Sequence, residues 1–193
     1  PGMVTAMGVS VGLTSAAINS KGTVAQKERW VPDLLTLEKV GAWAITEPNS
    51  GSDAFGSMKS TARKDGDEYV LNGSKTFITN GHQCDLAVVA ARTDPTKGAK
   101  GISLFVLEAT DEGFTKGQPL DKVGQPESDT SELFFDNVRL SADRLLGPEG
   151  MGFISMMQKL PQERLGNAVG CVAHAGQILE ETIEYAKERK AFG

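Results

Sequence analysis

The amino-acid sequence predicts an α+β protein: an antiparallel β-sandwich or barrel domain flanked by helical segments of incomplete N- and C-terminal helical domains. Two observations predict it. Apolar residues recur at helical spacing up to about residue 40, alternate with a period of two from Gly41, and return to helical spacing after Gly150. Gly, Pro and Asp cut the middle stretch into short runs with no helix between them. The expected domains are 1–40, 41–146 and 147–193.

Val4–Ile18 mixes Val, Leu, Met and Ala with small residues and reads as a buried helix. It carries little polar surface and needs more neighbours than this chain supplies, so the chain reads as cut from something larger. Thr23–Trp30 is more polar, and Pro32-Asp33 is expected to open another short helix, Leu34–Lys39. The strand candidates are Ala42–Thr46, Ser57–Lys64, Glu68–Lys75, Leu86–Arg92, Gly101–Glu108, Phe114–Leu120 and Glu132–Leu140. Asp65-Gly66 is a hairpin signal, because both residues tolerate positive φ. Asn72-Gly73 sits inside an apolar stretch, leaving bulge and turn both open. Near the C-terminus Leu165, Ala168, Val169, Val172, Gly176, Leu179, Ile183 and Ala186 form one apolar stripe on a helix, and Pro161 predicts a kink or a new first turn.

Composition narrows the function. The apolar fraction of 39% and charged fraction of 23% are those of a soluble globular chain. A net charge of −5 gives no general attraction to nucleic acid or acidic lipid. No apolar run approaches the roughly 20 residues of a membrane span, and no signal peptide is expected. Cys84 and Cys171 read as free thiols of a reducing compartment. His82 and His174 are isolated, so no metal site is expected.

Two motifs remain: Ala44-Ile45-Thr46-Glu47-Pro48-Asn49-Ser50-Gly51-Ser52-Asp53 and Asn72-Gly73-Ser74-Lys75-Thr76-Phe77-Ile78-Thr79-Asn80-Gly81. Each couples an apolar run to a threonine and then to Gly, Ser and Asn. Thr46 can both donate and accept a hydrogen bond, and Gly51-Ser52 could face an anion. The same residues also suit a β-turn closing a hairpin.

Together with Glu188-Arg189-Lys190-Ala191-Phe192-Gly193, these motifs resemble the acyl-CoA dehydrogenase family over essentially the whole chain, on the side of its long-chain and isovaleryl branches. The resemblance implies an FAD enzyme that converts an acyl-CoA to the trans-2-enoyl-CoA and passes electrons to an electron-transferring flavoprotein. It implies that Thr46, beside backbone groups of Trp43–Thr46, meets the pyrimidine edge of the isoalloxazine. Gly51 and Ser52 would meet the pyrophosphate, and Ser52 would also lie near the substrate. Phe77 would cover one flavin face, with Ile78 beside it, and Thr79 would reach N5. Glu163 in Gln162-Glu163-Arg164-Leu165 matches the position of a catalytic base, although a base beyond Gly193 remains open, and Arg164 would lie near the substrate. Arg189 and Phe192 would reach the FAD of a neighbouring subunit in a dimer or tetramer. Acyl-CoA oxidases and flavin monooxygenases share these motifs, and a cofactor-free fragment is the alternative of another class. The implied compartment is bacterial cytoplasm or mitochondrial matrix.

Overall fold

The β-region forms one sheet of eight strands in the computed structural model, which describes residues 2–192. Gly193, the end of the last motif, lies outside the described residues. The strands are β1 (Gly41–Ala44), β2 (Thr61–Asp65), β3 (Glu68–Thr79), β4 (Leu86–Arg92), β5 (Ile102–Glu108), β6 (Phe114–Lys116), β7 (Thr130–Ser141) and β8 (Leu145–Leu146). Their order is β6-β7-β3-β2-β4-β5-β8, with β1 added alongside β4. Most pairs are antiparallel as expected, but β1 and β2 each run parallel to β4.

Alternating residues of β3, β4, β5 and β7 supply the core: Tyr69, Leu71, Ala87, Val89, Phe105, Leu107, Leu133, Val138 and Leu140 are all buried. Strands β3 and β5 are not neighbours in the sheet, yet the Tyr69 and Phe105 rings meet edge-on at 5.0 Å. The sheet therefore curls over its own apolar face, which is how a single sheet encloses a core.

Local chemistry corrects several boundaries. Residues 57–60 are not strand. Asp53 caps a short helix, Ala54–Ser57, by accepting from Gly56 N–H at 3.1 Å and Ser57 Oγ at 3.0 Å. The Arg92 guanidinium then takes the carbonyls of Phe55, Gly56 and Met58 at 2.7, 3.1 and 2.8 Å, so a sheet ladder has no free groups there. The β2–β3 hairpin turns at Gly66-Asp67, one residue later than the Asp65-Gly66 expectation, with Gly66 at φ 63°. Pro32 does not open a new helix. One helix runs Val24–Thr36 from a Thr23–Gln26 capping box, with Pro32 inside it.

The helix Gly2–Lys21 is π-helical over Gly8–Ser15. Its small polar face packs on β1, and Ser10 Oγ accepts from Gly41 N–H at 3.0 Å. The opposite face, Met3, Val4 and Met7, is exposed in this chain, so the expected burial is only one-sided. Its length and mean hydropathy of 1.2 reach the minimum for a membrane span, with 33% of the window buried within the protein.

A helix runs Gly152–Glu188 with Pro161 inside it, and the chain divides into two compact units at the Ile154/Ser155 junction. In the second unit Leu165, Val169, Val172, Leu179 and Ile183 of the apolar stripe are exposed.

Asn72-Gly73 resolves as a bulge. The β3–β7 register shifts between Leu71 and Gly73, and Gly73 takes φ 141°, a conformation open to glycine. A Cβ at Gly73 would lie 2.4 Å from Ser60 Oγ and 2.7 Å from Ser60 Cα. Gly73→Ala is expected to destabilise the full-length protein by about 2 kcal/mol or more. Urea denaturation would read this, and an unchanged midpoint would contradict the bulge geometry.

Candidate functional site

The two motifs meet along one line. β1 and the two residues after it run antiparallel to the end of β3. Gly41 O accepts from Asn80 Nδ2 at 2.9 Å, and Thr46 O accepts from Thr76 N–H at 2.9 Å. The segment Trp43–Thr46 is thereby held against Thr76–Thr79, and Thr46 and Thr79 are both half-buried. Asn80, itself buried, also donates to Ala6 O at 2.9 Å, tying the N-terminal helix to the same line.

A second bulge creates this contact. The β3–β7 register shifts again between Lys75 and Ile78, freeing Thr76 and Phe77 from the ladder. Thr76 turns its N–H to Thr46, while Phe77 takes φ 58° and stands 67% exposed. A bulky non-glycine residue in the left-handed region is uncommon and costs about 1–3 kcal/mol. A strained, exposed aromatic ring on the same line as two half-buried threonines suits stacking on a flat heterocycle whose edge needs hydrogen bonds.

Ile78 is 2% exposed and its side chain belongs to the core, so only its backbone can reach a cofactor. Trp43 and Ile45 are half-buried. Beyond Thr46 the turn reading also holds, since Glu47 and Ser50 exchange backbone hydrogen bonds at 3.0 Å. Ser50 Oγ donates to Asp53 O and Ala54 O at 3.0 Å each, leaving Gly51 and Ser52 at the exposed tip.

Sequence reasoning missed the residues beneath this line. Lys75 is fully buried and its Nζ reaches both Ile45 O and Glu47 Oε1 at 2.9 Å. Glu47 accepts from Lys59 N–H at 2.6 Å and Ser60 N–H at 3.0 Å. Burial lowers the Lys75 ammonium to about 8, with Glu47 opposing. Burial raises the Glu47 carboxyl, but the Lys75 charge and the hydrogen bonds from Ser60, Lys59 and Lys75 outweigh it, leaving the carboxyl below its ordinary value. The available signal was one Lys and one Glu of opposite charge, each within two residues of an apolar residue of its motif.

Glu163, Arg164, Arg189 and Phe192 lie in the second unit. Glu163 is half-buried; that burial raises its carboxyl above the ordinary value, against the pull of Lys159. Arg164 is exposed. Arg189 Nη1 donates to Tyr185 OH at 3.0 Å, and Phe192 is exposed. Of the two cysteines, Cys84 is buried, which pushes its thiol up to about 12, and Cys171 is exposed.

Among known proteins, the family described as "Acyl-CoA dehydrogenase, middle domain" matches residues 42–138, and "Acyl-CoA dehydrogenase, C-terminal domain" matches residues 150–193. The mitochondrial long-chain specific acyl-CoA dehydrogenase of Mus musculus is 46% identical over 178 residues, 91% of this chain and 41% of that protein. The structure of butyryl-CoA dehydrogenase from Megasphaera elsdenii has a TM-score of 0.93 at 42% identity, covering 100% of this chain and 50% of that one. The prolyl acyl carrier protein oxidase AnaB also has a TM-score of 0.93, at 34% identity, with 100% and 50% covered. The chain thus spans about half the length of these relatives or less.

Because the Glu47 carboxyl is held below its ordinary value, its contribution to stability is complete above the ordinary carboxylate range and is lost as pH falls through the depressed value. At pH 7 Glu47→Gln is expected to be about 3 kcal/mol less stable than the unaltered protein, the cost of stranding a buried partner charge. Urea midpoints followed into acid should converge, and a constant gap down to pH 2 would contradict the assignment.

Proposed function

Because the chain belongs to the acyl-CoA dehydrogenase family, we propose that it is part of an FAD-dependent enzyme that oxidises an acyl-CoA thioester to the trans-2-enoyl-CoA. The observation carrying this reading is the antiparallel contact of Trp43–Thr46 with Thr76–Thr79 beside the exposed Phe77 ring. In the family's terms, residues 1–40 end an N-terminal helical domain, 41–146 form the middle domain and 147–193 begin a C-terminal helical domain.

The roles follow from the residues. The Thr46 side chain and the backbone of Trp43–Thr46 hold the pyrimidine edge of the flavin, and Thr79, with the Ile78 backbone, holds the central ring. Phe77 covers one ring face, and Gly51-Ser52 receive the pyrophosphate. When bound, FAD supplies the acceptor for the hydride leaving the β-carbon. Donors at the pyrimidine edge stabilise charge there without rearranging, because the sheet fixes them beforehand.

Glu163 takes the α-proton as a carboxylate. Its partial burial favours that role, since a weakly solvated carboxylate is the stronger base. Arg164 lies near the acyl-CoA. Arg189 and Phe192 reach the FAD of a second subunit in a dimer or tetramer, where a guanidinium binds phosphate oxygens in pairs. Electrons leave to an electron-transferring flavoprotein, in the bacterial cytoplasm or the mitochondrial matrix.

One relative suggests a second reading, because AnaB is a prolyl acyl carrier protein oxidase. Stopped-flow reoxidation of the reduced full-length protein separates the two. Slow reaction with air supports the dehydrogenase, and rapid reaction supports an oxidase.

In the full-length protein Glu163→Gln is expected to lower kcat by about 100- to 10,000-fold while FAD stays bound. Because only the carboxylate accepts the proton, kcat/KM should rise as pH climbs through the raised Glu163 value and then level off. Steady-state assays across pH, with a flavin absorption spectrum of each protein, check both expectations. Unchanged turnover in Glu163→Gln would assign the base to another residue.

A further inference from the structure

Lys75 is a lysine with no exposed surface, and the proposed reaction gives it no task. Its setting is specific nonetheless. It lies one residue before the bulge that turns Thr76 to Thr46 and leaves Phe77 exposed. One of its donors meets the Glu47 carboxylate, and another meets the carbonyl of Ile45, both at 2.9 Å.

The carbonyl contact has a consequence across the peptide. The Ile45–Thr46 bond is trans, as are the others among the described residues. In a planar trans peptide the C=O and the following N–H point in opposite directions. Drawing Ile45 O toward the buried ammonium therefore turns Thr46 N–H away from it. That N–H finds no protein acceptor among the described residues, although the carbonyl of the same residue is bonded to Thr76. A backbone donor turned away from the protein's own acceptors is free to serve a bound ligand.

The geometry points to Lys75 as a positioning residue that, through the Ile45–Thr46 peptide, orients Thr46 N–H as a hydrogen-bond donor to the bound flavin. The assignment rests on the flavin reading above, which already sets the Thr46 backbone at the pyrimidine edge; what it adds is the role of Lys75. Glu47 serves it by offsetting the cost of burying the ammonium, and it is itself anchored by Lys59 N–H and Ser60 N–H. A buried ion pair that only added stability would be replaceable by apolar side chains at little loss. The bond to a backbone carbonyl inside the motif gives this pair a directional task that such a replacement would not perform.

The full-length protein tests this in two ways. The double variant Lys75→Met/Glu47→Gln removes both charges at similar volume and strands neither. It should bind FAD at least about tenfold more weakly, the factor expected for a lost charge-assisted hydrogen bond, and its bound-flavin absorption band should shift. Glu47→Gln alone keeps the Lys75–Ile45 bond and should change FAD affinity less than the double variant does. Hydrogen exchange on the unaltered protein needs no variant to fold. Adding FAD should slow exchange of the Thr46 amide about tenfold or more, while the Thr76 amide is already slow without it. A double variant that folds and binds FAD with unchanged affinity and spectrum overturns the role of Lys75, and so does a Thr46 amide indifferent to FAD. Failure of the unaltered full-length protein to bind FAD at all would instead remove the flavin reading, and the Lys75 assignment with it.

Discussion

An ammonium group taken wholly out of water must find charge and hydrogen bonds inside the protein or give up its proton. Lys75 meets that requirement with Glu47 and Ile45, and the arrangement of the site follows from it. The lysine belongs to a central strand and its partners to the segment after β1, so satisfying one buried charge joins the two motifs. Glu47 in turn gathers Lys59 and Ser60, which lead into β2. Three stretches distant in sequence are thereby set around a single pair of charges.

The strain at Phe77 is tolerable for a related reason. Strand β3 is paired with β2 on one side and β7 on the other, and Asn80 anchors its end to Gly41 and Ala6. A backbone held at so many points can sustain one left-handed non-glycine residue that an isolated strand would relax. The curled sheet provides the stiffness: Tyr69 of β3 packs on Phe105 of β5 across the core.

Legibility in the sequence varied with how local the deciding interaction was. Leu86–Arg92 was readable to the residue, because an unbroken apolar run bounded by Asp and Thr leaves few alternatives. The strand expected over Ser57–Lys64 began later, because Arg92, more than thirty residues away, captures the carbonyls of Phe55, Gly56 and Met58. Pro32 suggested a helix boundary, yet one helix runs through it and is anchored on both sides: Trp30 Nε1 on Glu108 at 2.6 Å and Gln26 on the carbonyls of Asp143 and Leu145 before the proline, and the buried Leu34 after it. For the site, both threonines and Phe77 were legible as motif members. Ile78 was legible with them, and the structure adds that its side chain lies in the core, leaving its backbone for the proposed contact.

By itself the sequence determined the change of period from helix to strand and back, an irregularity at Asn72-Gly73 that only the structure resolved as a bulge, and the family to which the two motifs belong. Those depend on steric and hydrophobic rules that act over a few residues. Only the tertiary structure decided that β1 and β2 lie parallel to β4, that Thr46 is bonded to Thr76, and that Lys75 and Glu47 neutralise each other out of water. Register and charge pairing depend on which distant segments meet when the sheet closes on its core, and no spacing within either motif encodes that meeting.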